Sequence, residues 1–255
     1  MAVPLLTGTS LLEMRGVVHG FTTRAGGVST GSRSSLNLAL GRGSDRALVR
    51  ENWRRTAQSL GQGWSEEDLV LVDQVHGADV LKVRAATGPW ATAGAADAVV
   101  CTDKRLLLAV RTADCVPVLL AAPGGVAAAH AGWRGLVAGV LPATVRSLCD
   151  AAGVAPSDVV AVVGPHIGVD AYEVGPDVVR ALIDAGLRRH RVCKMGPTGR
   201  EHADLGHAAE DQLYAAGVGR VERLGVCTHS DSRFYSYRRE GTSTGRLAAV
   251  IGMSA

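Results

Sequence analysis

Short, nearly continuous runs of apolar residues follow one another along the chain, separated by polar segments that contain glycine. Runs of this length favour β-strands, and the lack of polar alternation within them favours strands that are covered on both faces. The predicted strands are Val17–Thr23, Leu69–Val75, Val80–Val83, Ala98–Cys101, Leu106–Val110, Val116–Ala122, Val126–Ala129, Val159–Gly164, Val221–Val226 and Leu247–Ile251. We expect helices to cover the resulting sheet.

Three further segments carry apolar residues at helical spacing, which predicts amphipathic helices. These segments are Gly135–Ala151, Asp177–Ala185 and Leu205–Ala216. A fourth helix is predicted to begin at a Ser44–Asp45 cap and to end at Gly61. Pro142 lies too deep in the first of these segments for a first-turn position, so that helix is predicted to kink or to start late. The polar stretch Lys194–Glu201 is predicted to be an exposed loop.

Composition limits the classes of function. The chain has 255 residues without an internal repeat or a convincing linker, so we predict one domain spanning residues 1–255. Lys+Arg total 27 against Asp+Glu 24, and a formal net charge of +3 argues against a nucleic-acid partner. The 47% hydrophobic and 20% charged residues predict a soluble protein with a sizeable core. No apolar stretch reaches the roughly 18 residues of a membrane span, so no membrane partner is expected.

The cysteines are widely scattered, and no charged-then-apolar leader precedes them. This pattern predicts no disulfide framework and a location in the reducing cytoplasm. The cysteines are Cys101, Cys115, Cys149, Cys193 and Cys227.

Three side chains that can bind metals lie where apolar runs end: His76, Cys115 and His130. Two imidazoles and a thiolate are suitable zinc ligands that leave a fourth position open for water or substrate, and copper accepts the same donors. The long separations between the three match no local metal signature. On the residues alone, the alternatives are histidines bonded to backbone and a cysteine that packs as a small apolar side chain.

Two further residues suggest specific hypotheses. Arg24 lies beside the pliable backbone of Gly26 and Gly27, and a guanidinium gives paired hydrogen bonds to oxyanions. We therefore hypothesise that Arg24 contributes to phosphate or substrate binding; the alternative is a plain strand-to-loop connection. Asp114 is predicted to support a metal ligand or to be a structural group, because in extended backbone its side chain points to the opposite face from Cys115.

Several short motifs occur in order along nearly the whole chain. They are Gly20–Ser29, Ser35–Leu38, Gln74–Gly77, Thr112–Cys115, Ala129–Gly135, Gly164–Pro165 with Tyr172–Gly175, and Phe234–Arg239. Together they resemble the family variously described as YfiH-like, polyphenol oxidase (laccase-domain) or purine nucleoside phosphorylase proteins. The chain departs from the family at Trp53, where Arg is frequent, at Ala171, where Cys is frequent, and at His166, where a small residue or Cys is expected.

The resemblance implies an α/β (α+β) fold, a single layered sandwich with a mixed β-sheet. It places a metal site at His76, Cys115 and His130, with zinc as the expected ion and copper as the alternative. It implies phosphorolysis of adenosine, inosine and S-methyl-5′-thioadenosine, and deamination of adenosine. The implied partners are purine nucleosides and inorganic phosphate, with the chain either a monomer or a homodimer.

The matching motifs also suggest residues that contact the substrate. Asn37, Tyr237 and Arg238 join Arg24 as the residues predicted to bind substrate or phosphate. Trp133 is predicted either to stack on a purine ring or to close the core.

Other functions stay open on the sequence alone. The older family label suggests copper-dependent oxidation of phenols, although a multicopper centre needs more clustered imidazoles than eight scattered histidines supply. A hydrolase that edits peptidoglycan precursors would use Cys115 as nucleophile and His130 as base. A metal-binding structural or interaction module is the non-enzymatic alternative.

Overall fold

The computed structural model describes residues 3–39, 41 and 44–254. Strands β1 to β13 are Leu5–Leu6, Val17–Thr22, Leu69–Leu71, Val80–Lys82, Ala98–Cys101, Leu107–Thr112, Val116–Ala122, Gly125–Ala131, Val160–Val163, Cys193–Met195, Glu201–Ala203, Arg220–Arg223 and Leu247–Met253. Helices α1 to α8 are Thr9–Leu12, Arg46–Gln58, Trp133–Ala138, Val140–Ala152, Pro176–Asp184, Arg189–Val192, Leu205–Ala215 and Tyr237–Glu240. Short 3₁₀ turns lie at Gly31–Arg33, Glu66–Asp68, Pro156–Asp158, Val169–Ala171 and Gly241–Ser243.

Most strands belong to two mixed sheets. The five-stranded sheet has the order β1-β2-β13-β6-β3, with β3 parallel to β6 and the other pairs antiparallel. The six-stranded sheet has the order β12-β9-β7-β8-β5-β4, with parallel pairs at its two edges. β13 is therefore the middle strand of the first sheet, and β7 and β8 are the two middle strands of the second.

The two sheets stack face to face and carry helices on their outer faces. Apolar side chains from both sheets, among them Phe21, Leu108 and Leu119, form one core between the sheets. A second core packs α2 through Trp53 onto the five-stranded sheet. A third core packs α4, α5 and α7 onto the six-stranded sheet, where the alanines of β8 allow close approach. The molecule is thus a four-layer sandwich, and a second sheet provides part of the cover that was expected from helices alone.

Several predicted elements are confirmed, and others need correction. Ala98–Cys101 and Val116–Ala122 begin and end as predicted. The stretch predicted as Leu69–Val75 leaves the sheet after Leu71. The exposed loop predicted at Lys194–Glu201 is wrong in part, because its ends belong to the antiparallel pair β10 and β11. The sequence did not reveal this hairpin because its two strands are short and lie in a polar segment.

The segment predicted as one helix from Gly135 to Ala151 is divided into α3 and α4. Gly139 adopts left-handed backbone with φ of 83° and separates the two helices, a conformation that glycine accepts without strain from a Cβ atom. Pro142 therefore lies in the first turn of α4, where its missing N–H has no helical partner to lose. The predicted late start is confirmed.

The helix predicted after Ser44–Asp45 is confirmed as α2. Asp45 accepts hydrogen bonds from the backbone amides of Ala47 (2.9 Å) and Leu48 (3.2 Å) and so caps this helix. Within residues 3–39, 41 and 44–254, none of the helices combines the length and apolar character required to cross a membrane.

Candidate functional site

The candidate site lies at one end of the sandwich, where the turn between β6 and β7 passes from one sheet to the other. This turn carries Cys115 directly before β7. His130 is the penultimate residue of β8 and pairs with Pro117 of β7. His76 follows β3 in an irregular segment, with a left-handed φ of 62°. Three donors that are distant in sequence therefore meet at one end of the sheets.

The donor atoms of these three residues all lie within 4.8 Å of one another. The Sγ atom of Cys115 lies 4.0 Å from Nε2 of His76, and the two imidazole rings meet edge to face with centroids 4.9 Å apart. A Cβ atom at Gly132 would lie only 3.0 Å from Sγ of Cys115 and 3.1 Å from the His76 ring, so the missing side chain leaves room beside the donors. Two imidazoles and a thiolate in this arrangement fit zinc or copper.

Asp97 connects two of these donors through the hydrogen bonds that it accepts. Its side chain is fully buried and accepts a 2.8 Å hydrogen bond from Nδ1 of His130. The other carboxylate oxygen accepts from the backbone amides of Val75 (3.1 Å) and Gly77 (2.6 Å), on either side of His76. The proton of His130 is thereby kept on Nδ1, and Nε2 is left for a metal. Burial alone would raise the pKa of Asp97, but hydrogen bonds from His130 and Gly77 hold it below its ordinary value.

The electrostatics of Cys115 and His130 are coupled. Burial alone would raise the pKa of the Cys115 thiol, but the adjacent charge of His130 lowers it to about 6. Burial would likewise lower the pKa of His130, but the charge of Cys115 and the hydrogen bond to Asp97 raise it to about 9. At neutral pH these two side chains therefore form a thiolate–imidazolium pair. Metal binding would replace the imidazolium proton and retain the thiolate.

The donors open onto a cleft of about 540 Å³, a volume typical of small-molecule sites. Its walls combine aromatic rings with guanidinium groups. The aromatic residues are Trp133, Tyr172 and Tyr237, and the arginines are Arg111, Arg134, Arg238 and Arg246. The cleft can therefore receive a ligand that has both a flat ring and a negative charge.

A family model described as multi-copper polyphenol oxidoreductase laccase matches residues 18–254. The chain belongs to this family. The matched range includes all three donor residues and every motif on which the resemblance was based, and the family assignment made from sequence is confirmed.

Relatives across the family are similar over nearly their full length. The chain is 42% identical over 253 residues to a purine nucleoside phosphorylase of Deinococcus radiodurans, covering 98% of this chain and 93% of that protein. It is 38% identical over 242 residues to the purine nucleoside phosphorylase YfiH of Escherichia coli, covering 94% and 95%. The crystal structure of YlmD from Geobacillus stearothermophilus has a TM-score of 0.89 at 35% identity, covering 97% and 94%. The predicted mixed α/β sandwich is thereby confirmed.

Two of the residues predicted to bind substrate line the cleft, namely Tyr237 and Arg238. The backbone amide of Arg238 donates to a carboxylate oxygen of Asp114 (2.7 Å), and the other oxygen accepts from Oγ1 of Thr228 (2.7 Å). Asp114 thus ties the Cys115 turn to α8, the structural role predicted for it. Its backbone is not extended, however, because its φ is 92°.

The other two predicted residues, Arg24 and Asn37, are not part of the cleft lining. Nη1 of Arg24 forms a 3.0 Å ion pair with Glu240, and its guanidinium stacks on the ring of Tyr235. Asn37 is buried, and its side-chain oxygen accepts from the backbone amide of Arg246 (3.0 Å). Asn37 therefore contacts the cleft lining through Arg246.

Sequence reasoning missed several residues of the site. Asp97 stands directly before an apolar strand, and a lone carboxylate in that position was the one available signal. Arg111 directly precedes the Thr112–Cys115 motif, so its position offered a weak signal. Arg246 had none, because only the pairing of β13 with β6 brings it to the cleft.

Proposed function

We propose that this chain is a metal-dependent purine nucleoside phosphorylase that also deaminates adenosine. The observation that carries the proposal is the group formed by His76, Cys115 and His130 in a cleft with aromatic and cationic walls. The names of the Deinococcus and Escherichia relatives support the reaction class. The proposed substrates are adenosine, inosine and S-methyl-5′-thioadenosine, each with inorganic phosphate.

The aromatic walls provide a place for the purine. Arg134 covers the ring of Trp133 at 4.3 Å, and Arg238 covers the ring of Tyr172 at 5.0 Å. Tyr237 is 50% exposed at the cleft. We therefore assign purine stacking first to Tyr237, because a ring with free area gains most from contact with a flat ligand.

Zinc is the proposed ion, held by His76, Cys115 and His130. When bound, it would supply Lewis-acid chemistry by polarising an oxygen atom in the cleft. The chain's own part is to prepare the donors. Asp97 keeps the Nδ1 proton of His130, and the imidazolium keeps Cys115 ionised at neutral pH. In the part of the chain that the structure describes, this is the one group of donors suited to a metal, which favours a single-ion site over a multicopper centre.

One observation favours a second candidate function. The side chains of Cys115, His130 and Asp97 are arranged as thiolate, imidazolium and carboxylate, the arrangement that activates a nucleophilic cysteine. A hydrolase that edits peptidoglycan precursors would use this arrangement without a metal. Chelation separates the two candidates, because it removes the metal that phosphorolysis requires and leaves the thiolate free.

Chromatography of adenosine incubated with zinc-loaded protein tests the proposal. We expect adenine and ribose 1-phosphate to appear only when phosphate is present, and inosine to appear without it. Absence of adenine under both conditions would refute the phosphorylase, and absence of inosine would refute the deaminase. Activity that survives chelation together with an acyl adduct on Cys115 would favour the hydrolase, and oxygen uptake with a phenol and copper would favour the oxidase.

A further inference from the structure

Two arginines of the cleft wall lie on or directly before neighbouring strands of the five-stranded sheet, Arg111 on β6 and Arg246 immediately before β13. Arg111 belongs to β6 and pairs with Ala248 of β13, and Arg246 lies two residues before Ala248. Residues in this diagonal relation lie on the same face of a sheet, within reach of each other's long side chains. Both arginines also line a second cavity of about 260 Å³ next to the cleft. They therefore form the wall that separates the two cavities.

Neither arginine forms an ion pair with a carboxylate among residues 3–39, 41 and 44–254. The guanidinium of Arg111 donates to the backbone oxygen of Val72 (3.2 Å), and that of Arg246 donates to the oxygen of Gly245 (3.0 Å). Arg24 differs, since it pairs with Glu240. Each guanidinium of the wall therefore has N–H groups that do not donate to an acidic side chain of the described residues.

Positive charges lie close together at this wall, because the charge of Arg246 acts on Arg111 and the charge of Arg33 acts on Arg246. Burial lowers the pKa of Arg111, the charge of Asp73 opposes this, and the charge of Arg246 lowers it further. Burial likewise lowers the pKa of Arg246, while the negative charge of Cys115 raises it. A bound anion would relieve this repulsion. The wall and the candidate metal donors line the same cleft.

The backbone of each arginine is held by an amide side chain. Gln74 accepts from the amide N–H of Arg111 (2.8 Å) and donates to its carbonyl oxygen (2.7 Å). Asn37 accepts from the amide N–H of Arg246 (3.0 Å). Both positions are thus fixed before any ligand arrives, which lowers the entropy cost of binding. Asn37, predicted from sequence to bind substrate, acts here as a positioning residue.

We propose that Arg111 and Arg246 together bind the inorganic phosphate that attacks the nucleoside. Planar guanidinium groups give paired, charge-assisted hydrogen bonds to oxyanions, and two on one wall can hold different oxygens of the same ion. Because both arginines line the cleft as well as the smaller cavity, an ion bound to their guanidinium groups can lie in the cleft beside the nucleoside that it attacks. The identity of the ion as a co-substrate rests on the proposed phosphorylase function; the oxyanion site itself does not.

The test compares Arg111→Gln and Arg246→Gln with Arg180→Gln as a matched control. Arg180 is an exposed residue of α5 and lines neither cavity. Inorganic phosphate alone is titrated against thermal unfolding of each zinc-loaded protein. Because hydrogen bonds between charged groups are lost, the phosphate concentration that gives the same rise in unfolding temperature should increase about tenfold or more in both wall variants and stay unchanged in the control. In turnover, the KM for phosphate should rise similarly and the KM for adenosine should change less than about twofold.

The outcomes separate this inference from the proposed function. Phosphate stabilisation that depends on both arginines, without any phosphorolysis, supports the oxyanion site and refutes the phosphorylase. Phosphorolysis with an unchanged KM for phosphate in both wall variants overturns the inference and leaves the phosphorylase standing. Stabilisation by adenosine 5′-monophosphate but not by inorganic phosphate overturns it too, since the wall would then bind a phosphate attached to a nucleoside. If Arg111→Gln does not fold, Arg246→Lys decides, because it keeps the charge and loses the paired donors.

Discussion

Two parts of the cleft bring different chemistry. The first consists of His130 on β8, whose ring is held by Asp97, of Cys115 directly before β7, and of His76 after β3. The second consists of Arg111 on β6 and Arg246 directly before β13, neither of which forms an ion pair with a carboxylate in the described part of the chain. We call the first set the metal half and the second set the arginine half. The metal half is assembled by internal hydrogen bonds, whereas the arginine half is left to be neutralised by a ligand from outside.

Replacement of the sulfur ligand should have the largest effect on the metal half. In Cys115→Ser, a neutral hydroxyl replaces the thiolate, so we expect loss of bound zinc and a fall in phosphorolysis of about a thousandfold or more. Elemental analysis and the rate of adenine release measure these effects. Cys193→Ser, on β10 and outside the cleft, is the control and should keep its bound zinc and its rate of adenine release. A Cys115→Ser protein with a full complement of zinc and normal rates would contradict the metal half as described.

Replacement of Asp97, which holds the ring of His130, should cause a smaller loss of zinc binding. In Asp97→Asn, the amide can donate to Nδ1 of His130 and so move the ring proton to Nε2, the atom that should bind zinc. We expect zinc affinity to fall about 10- to 100-fold, measured by competition with a chelator. Asp103→Asn, at an exposed position, is the matched control. Unchanged affinity in Asp97→Asn would mean that His130 does not depend on its carboxylate.

The pH dependence of alkylation tests the charge pair of the metal half. Below pH 6 the thiol of Cys115 should be protonated and slow to react, and above pH 6 it should be an anion, because its pKa is lowered to about 6. In chelated protein, iodoacetamide labelling of the Cys115 peptide should therefore reach half its maximum near pH 6, well below the range of an ordinary thiol. Zinc should block the reaction. A midpoint above about pH 8 would show that His130 does not stabilise the thiolate.

The smallest effect is expected at Arg24, predicted from sequence to bind phosphate or substrate. Arg24→Gln removes an ion pair with Glu240 outside the cleft lining, so the KM for phosphate should change less than about threefold. The free energy of unfolding should fall by about 1 kcal/mol or less, as for other partly exposed ion pairs. Phosphate kinetics and denaturant titration measure both. A rise in KM as large as that of Arg246→Gln would support the sequence hypothesis and break the division into two halves.

The success of the sequence predictions depended on how local each signal was. The strand Ala98–Cys101 and the cap at Asp45 follow from neighbouring residues, and both were predicted correctly. The division of a predicted helix at Gly139 depends on one left-handed residue, and apolar spacing continues across it. The hairpin of β10 and β11 was missed because its strands are too short to show periodicity.

By itself, the sequence determined the apolar runs and the helix caps, which depend on adjacent residues, and its short motifs pointed to the three candidate metal donors through their resemblance to a family. The tertiary structure alone decided that Asp97 supports His130, that Arg24 lies outside the cleft and that Arg111 and Arg246 share a wall. These relations depend on the register between strands and on the stacking of two sheets. Both bring together side chains from distant parts of the chain, and no local pattern records such distances.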